Sequence, residues 1–179
     1  QAYGVKTTEK ILEDFLTERP ITVRCRTHKA SLREIVTSLK SQGVTVEQAP
    51  YLPYALKISD YNHILTLETF LQGKILVQDV SSMLVAEAAS PKKGDHIIDM
   101  CAAPGGKSIH AADKMGDYGN VDARDVSQYK ADLIKENIHR TGVINVEARV
   151  QDATVYDPDS EQAADIVTVS YTHLTLPTT

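Results

Sequence analysis

The chain has 179 residues, a net charge of −5 and two cysteines. This length allows one domain, or two small ones, with an apolar core. No apolar run approaches the about 20 residues that a membrane span needs, and no signal peptide opens the chain. Cys25 and Cys101 lie outside any Cys/His cluster, which disfavours a disulfide framework and a structural zinc site. We therefore expect a cytoplasmic, monomeric protein that does not contact membranes.

Residues 1–72 predict a small α+β module that opens with a helix. Thr7 or Thr8 can cap this helix, which runs to about Glu18 and is followed by Pro20. One side of the helix is apolar and is expected to pack inward. The residues on that side are Ile11, Leu12, Phe15 and Leu16.

A strand follows over residues 21–26, and its alternation points Arg24 and Arg26 away from the module's core. The inward residues of this strand are Ile21, Val23 and Cys25. Ser31 and Glu34 form a capping box for a helix that ends at about residue 42. Two further strands complete the module, over residues 44–48 and 55–58.

Basic residues concentrate between positions 19 and 40, where Glu34 is the only acidic residue. The basic side chains are Arg19, Arg24, Arg26, Lys29, Arg33 and Lys40. A local basic face can hold a phosphate backbone even when the whole chain is acidic. The candidate RNA-binding residues are therefore Arg24, Arg26, Lys29 and Arg33. The charges alone favour an ordinary solvated face over this interpretation.

Residues 73–170 alternate between strand and helix patterns, which predicts the first half of a Rossmann-like parallel sheet in an α/β fold. Ser81 or Ser82 caps a helix that runs to about Ala89. The predicted strands cover residues 97–99, 120–124, 146–150 and 165–169. The predicted helices between them cover residues 108–114 and 126–141.

A loop of small residues joins the strand that ends at Asp99 to the helix that carries Ser108. Small residues let backbone N–H groups approach a ligand, and a helix N-terminus attracts a carboxylate or a phosphate. The loop partly fits the phosphate-binding pattern G-x-x-x-x-G-K-[ST], but Cys101 occupies the position of the first glycine and Pro104 interrupts the N–H donors. A P-loop nucleotide-binding protein is therefore the weaker alternative, and a nicotinamide site lacks its G-x-G-x-x-G pattern.

Asp125 ends the second strand of this unit, about 20 residues after the glycine loop. A carboxylate at such a position commonly accepts hydrogen bonds from both ribose hydroxyls. The same side chain could also cap the helix that starts at Val126, and the two roles are compatible.

The sequence Asp99-Met-Cys-Ala-Ala-Pro-Gly-Gly-Lys-Ser108 resembles the first cofactor motif of the Sun-family RNA cytosine-5 methyltransferases. A second match to this family is Val77-Gln-Asp-Val-Ser-Ser82, and the resemblance extends from about residue 4 to residue 169. It implies methyl transfer from S-adenosylmethionine to small-subunit ribosomal RNA, with an RNA-binding module before the catalytic domain.

The resemblance also implies roles for individual residues. Asp125 and Lys130 would hold the ribose, and Asp152 would hold the adenine, although Asp152 could instead simply form a turn. Lys107 could alternatively face the RNA or the target base. The methionine part of the cofactor would lie against Ala102, Ala103, Pro104, Gly105, Gly106 and Lys107.

The resemblance ends after Val169, where the family continues with Asp-x-Pro-Cys and this chain reads Ser170-Tyr-Thr-His173. Cytosine-5 methylation needs a thiolate that adds to C6 of the base and a base that removes the C5 proton. In the family, the nucleophilic cysteine lies further on than Asp-x-Pro-Cys, and both cysteines are absent here. We therefore expect no catalytic residue in this chain, and we expect residues 171–179 to be a non-native tail on a truncated enzyme. A binding module for RNA or cofactor, without catalysis, is the alternative.

Overall fold

A computed structural model describes residues 4–16, 19–116 and 118–170. These residues form two four-stranded sheets, one in each of two consecutive units of the chain. Within this part of the chain, no helix is long and apolar enough to cross a membrane.

The first unit contains an antiparallel sheet packed against one helix. Its strands are β1 (Ile21–Cys25), β2 (Thr45–Gln48), β3 (Ala55–Ser59) and β4 (Ile75–Val77). Its helices are α1 (Val5–Phe15), α2 (Leu32–Ser41) and the short α3 (Glu68–Leu71). The strand order is β2-β3-β1-β4. The core lies between this sheet and α2 and contains the buried side chains Val23, Ile35, Leu39, Ile58 and Ile75.

The capping box predicted before α2 is confirmed. Ser31 Oγ accepts a hydrogen bond from Glu34 N at 3.3 Å, and Glu34 Oε2 accepts one from Ser31 N at 2.8 Å. The helix α1 was predicted less well. It begins after Gly4 instead of Thr7 or Thr8, and its predicted apolar face is open, with Phe15 81 % exposed. The predicted end at residue 18 lies outside the described residues.

The second unit contains the predicted parallel sheet. Its strands are β5 (His96–Asp99), β6 (Asn120–Asp125), β7 (Val146–Val150) and β8 (Ile166–Thr168). Its helices are α4 (Val80–Ala89), α5 (Gly106–Met115) and α6 (Gln128–Thr141). The strand order is β7-β6-β5-β8, and all three pairings are parallel. The carboxyl ends of β5 and β6 therefore lie side by side, which brings the loop before α5 next to Asp125.

One predicted helix cap is wrong, and a second cap, which the sequence offered as an alternative, is not found. Asp79 precedes α4 as its N-cap, so Ser81 and Ser82 lie inside the first turn instead. Ser127 caps α6 by accepting a hydrogen bond from the backbone N–H of Lys130, so Asp125 is left outside the helix. In both cases the helix begins at a different residue from the one that the sequence pattern predicts.

The strand β4 belongs to the first sheet. It pairs with β1 in the antiparallel register Val23↔Val77 and Cys25↔Ile75. The predicted boundary at residue 73 assigned this segment to the second unit. Because β4 completes the first sheet, the chain enters the second unit at the start of α4.

Arg24 and Arg26 do not face solvent, contrary to the prediction from alternation, and they are only 2 % and 1 % exposed. Both guanidinium groups bind the carboxylate of Asp113 on α5, Arg24 Nη1 at 2.7 Å and Arg26 Nη2 at 2.7 Å. Arg26 Nη1 also donates to the carbonyl oxygens of Gly73 and Thr141. The alternation along β1 was predicted correctly, but the second unit packs against the side of the strand that carries the two arginines. The sequence of one strand cannot show that another unit packs there.

Burial of Asp113 by itself would raise the pKa of its carboxyl group. The hydrogen bonds and positive charges of Arg26 and Arg24 outweigh that effect and hold the pKa below its ordinary value. Asp113 is therefore charged, and the two units meet at a buried ion pair of one carboxylate with two guanidinium groups. We call these three residues the interface charge cluster.

Candidate cofactor site

The loop between β5 and α5 is fixed to the ends of its neighbouring strands. The N–H of Met100 donates to Thr168 O on β8, and the N–H of Ala102 donates to Arg124 O on β6, both at 2.9 Å. The peptide bond between Ala103 and Pro104 is cis. The loop therefore has a defined path across the carboxyl edge of the sheet.

Gly105 is the N-cap of α5 and has a φ of 99°, a backbone conformation that side chains rarely allow. A Cβ there would also lie 3.3 Å from Cγ2 of Ile134 on α6. Among the residues that the structure describes, no side chain caps the N-terminus of α5. Its first N–H groups and the partial positive charge of the helix are thus available to an anionic group.

Below the loop, Ser108 Oγ donates to Asp99 Oδ2 at 2.7 Å, and both residues are about 1 % exposed. Burial raises the pKa of Asp99, although the hydrogen bond from Ser108 and the charge of Lys107 oppose this. This pair fastens the start of α5 to the end of β5. It supports the loop from inside the protein.

Asp125 is the acidic group at the centre of the site. Its Oδ2 accepts from Ala103 N at 3.0 Å, its Oδ1 accepts from Val126 N at 2.8 Å, and Lys130 Nζ lies 3.1 Å from Oδ1. Burial would raise the pKa of Asp125, but these hydrogen bonds and the ammonium group lower it below its ordinary value. Asp125 is therefore an ionised acceptor held against the loop.

The remaining predicted site residues are less closely connected. Asp152 is exposed, and its Oδ1 accepts from the backbone N–H and the hydroxyl of Thr154 at 2.8 and 2.7 Å. This is the turn-forming geometry that the sequence offered as the alternative. Lys107 lines a cavity to which Asp125 does not contribute. The structure thus joins Ala103, Asp125 and Lys130 directly.

Sequence reasoning did not select Gln78 as a candidate site residue. It follows β4, is 6 % exposed, and lines the same cavity as Lys107. Its Oε1 accepts from Arg24 Nε at 2.8 Å. Gln78 lies within the segment from Val77 to Ser82 that resembles the family, but nothing else in the sequence distinguishes it.

The candidate RNA-binding residues separate into two pairs. Lys29 and Arg33 are exposed on the first unit, as predicted. Arg24 and Arg26 are buried in the interface charge cluster and are unavailable to a phosphate backbone. Their positive charges serve the contact between the two units instead.

The parallel sheet, the glycine-containing turn into α5 and the acidic residue at the end of the next strand define the Rossmann-like fold of S-adenosylmethionine-dependent methyltransferases. Two family models match the chain. The model described as 16S rRNA methyltransferase RsmB/F matches residues 86–169, and its ferredoxin-like domain model matches residues 1–64. The chain belongs to this RsmB/F branch of the Sun family.

Similar proteins support this assignment. The chain is 37% identical over 152 residues to the probable ribosomal RNA small subunit methyltransferase B of Bacillus subtilis, covering 85% of this chain and 34% of that protein. It is 33% identical to the mouse 28S rRNA (cytosine-C(5))-methyltransferase, covering 76% of this chain and 17% of that protein. A methyltransferase homolog from Pyrococcus horikoshii matches with a TM-score of 0.67 and 30% identity, covering 80% of this chain and 47% of that one. The chain thus spans about a third or less of these curated relatives.

Proposed function

We propose that the full-length parent of this chain methylates C5 of cytosine in small-subunit ribosomal RNA, with S-adenosylmethionine as the methyl donor. In this proposal the chain supplies an RNA-binding module and the cofactor-binding half. The observation that carries it is the contact of Asp125 with the N–H of Ala103, which fixes an ionised acceptor beside the loop. A carboxylate in that position suits ribose hydroxyls.

The residues at this edge of the sheet fit the cofactor. The uncapped N-terminus of α5 offers N–H donors, and Asp125 offers an ionised acceptor. Asp125 and Lys130 would hold the ribose, and Asp152 would accept from the adenine amino group with the lone pairs that Thr154 leaves free. The methionine part would lie against Ala102, Ala103, Pro104, Gly105, Gly106 and Lys107. When bound, the cofactor supplies an electrophilic methyl group.

We further propose that this chain has no methyltransferase activity of its own. Burial raises the pKa of the Cys25 thiol to about 12, and Cys25 lies in the first unit away from the loop. Burial and the negative charges of Asp125 and Asp99 raise the pKa of Cys101. Because the thiolate is the nucleophilic form, neither cysteine is prepared to add to a cytosine.

Calorimetry with S-adenosylhomocysteine tests the cofactor site. Asp125→Ala should weaken binding at least tenfold, whereas Asp132→Ala on the exposed side of α6 should leave it unchanged. Equal affinity in the two variants would refute the role of Asp125. Tritium transfer from S-adenosylmethionine to 16S ribosomal RNA tests the second proposal. Incorporation into cytosine by this chain would contradict it.

A second candidate function is RNA binding without catalysis. It is favoured by the exposure of Lys29 and Arg33 on the first unit. Each phosphate contact contributes about 0.9 to the slope of log affinity against log salt on duplex nucleic acid, and about 0.7 on single strands. The double variant Lys29→Ala/Arg33→Ala should therefore reduce the slope by about 1.4 to 1.8. Lys135→Ala on α6 is the control, and an unchanged slope in the double variant would refute this surface.

A further inference from the structure

A cavity of about 200 Å³ lies between the start of α4 and the start of α5. On one side it is lined by the loop and by the first residues of α5, namely Ala102, Pro104, Gly106 and Lys107. The opposite side comes from the end of β4, the connection to α4 and the first turn of α4, namely Val77, Gln78, Asp79 and Ser82. None of the residues on this opposite side is part of the cofactor site proposed above.

Gln78 brings a buried donor without a partner to this cavity. Arg24 Nε can only donate, so its 2.8 Å contact requires the oxygen of the Gln78 amide to face Arg24. The amide nitrogen must then point away from Arg24. Nε2 is buried and has no hydrogen-bond partner among the described residues. Buried donors of this kind are normally satisfied, so the missing partner points to a ligand.

The groups around the cavity indicate the chemistry of that ligand. The uncapped N-terminus of α5, the ammonium group of Lys107 and the Nε2 donor of Gln78 all favour a carboxylate. The carboxylate of Asp79, which lines the same cavity and makes no capping hydrogen bond to α4, suits an ammonium group. A carboxylate and an ammonium group together form the head of an α-amino acid.

We propose that Gln78 donates a hydrogen bond to the carboxylate of the amino-acid end of S-adenosylmethionine, and that Arg24 positions this donor. The inference rests on the proposed cofactor function and adds residues from outside the glycine loop. Arg24 does not touch the cofactor. It holds the Gln78 amide in one orientation, and Asp113 in turn holds Arg24 at 2.7 Å. Docking of the first unit on the second thereby sets a donor in the cofactor cavity.

The direct test compares two ligands that differ by one carboxylate, S-adenosylmethionine and decarboxylated S-adenosylmethionine, by calorimetry on the 179-residue chain. The unaltered chain should bind the carboxylated ligand at least tenfold more tightly. Gln78→Glu keeps the acceptor for Arg24 but replaces the donor with a negatively charged oxygen, so it should abolish this preference. Gln162→Glu, which adds the same charge at an exposed position, should retain it. Retention of the preference in Gln78→Glu would overturn the inference.

Arg24→Lys tests positioning separately. Lysine keeps a positive charge for Asp113 but lacks the planar fork that contacts two acceptors at once. We expect a selective loss for the carboxylated ligand with little change for the decarboxylated one. An equal loss for both ligands would indicate a purely structural role and would overturn the positioning claim. If the unaltered chain binds neither ligand, the proposed cofactor function fails. If it binds both equally, only the inference fails.

Discussion

Replacing Asp113 with asparagine should destabilise the whole chain strongly. The carboxylate is 7 % exposed and binds two guanidinium groups that are 2 % and 1 % exposed. The substitution keeps the shape of the side chain but leaves two buried positive charges facing a neutral amide. Breaking a buried ion pair by removing one partner costs about 3–5 kcal/mol, and this loss is large against the about 5–15 kcal/mol that stabilises a typical domain.

Urea unfolding followed by circular dichroism measures this loss as a shift in midpoint at constant slope. Asp132→Asn is the matched control, because Asp132 is 53 % exposed and lies 3.5 Å from Lys135. An exposed pair contributes at most about 1 kcal/mol, so the control should change little. A loss below about 1 kcal/mol for Asp113→Asn would refute the view that this cluster holds the two units together.

The same residue predicts a dependence on pH. Since the folded pKa of Asp113 lies below its ordinary value, its contribution to stability is fully present above the unfolded pKa of about 4. That contribution is lost as the pH falls through the folded value. The free energy of unfolding of the unaltered chain should thus decrease in acid more steeply than that of Asp113→Asn. An equal decrease in the two proteins would contradict the conclusion that a charged Asp113 stabilises the fold.

Three further variants test individual features by urea unfolding. Burial and the charge of Arg24 lower the pKa of His110 to about 3, so stability should fall by up to about 1.4 kcal/mol per unit as the pH decreases from 6.5 toward 3. His110→Phe should flatten this dependence of stability on pH. The control variant His63→Phe should leave it unchanged. Gly73→Ala should lower the free energy of unfolding clearly more than Gly43→Ala does. Both have positive φ, but only at Gly73 would a Cβ meet backbone, at 2.5 Å. Ser31→Ala should cost about 1 kcal/mol through loss of the capping box. An equally steep pH dependence of stability in His110→Phe would contradict the first expectation, and equal losses of stability at the two glycines would contradict the second. An unchanged urea midpoint for Ser31→Ala would contradict the third.

Local patterns predicted most of the secondary structure because they depend on residues close in sequence. The Ser31–Glu34 capping box and the strand over residues 146–150 are examples, and both were found where expected. The parallel pairing of the strands in the second sheet also followed from the alternation of strand and helix along the chain. In these places local preference and tertiary packing agree, so a sequence pattern is sufficient.

Contacts between the two units could not be predicted in the same way. Arg24 and Arg26 alternate with apolar residues on β1, which is typical of a strand with one solvated face. Their burial depends on Asp113, whose position on α5 relative to β1 is set only by the complete fold. The position of β4 in the first sheet was missed for the same reason, since its pairing with β1 joins residues far apart in the sequence.

The candidate site was partly predictable. The loop before α5 and Asp125 are adjacent because parallel strands end at the same edge of a sheet, which the sequence pattern implies. Gln78 was not identified as a candidate site residue, since its orientation depends on a hydrogen bond from Arg24, which is 54 positions away in the sequence. Residues that act through a distant partner carry little signal of their own in a single sequence.

The interface charge cluster limits how this protein could be recombined with its relatives. A chimera that joined this first unit to a foreign second unit would retain Arg24 and Arg26. It would need an acidic residue at the position of Asp113 to match them. Without it, the two desolvated guanidinium groups of the first unit would meet no negative charge on the second unit, and the hybrid would be expected to misassemble. Exchange of the first unit among family members is therefore tied to a single position on a helix of the second unit.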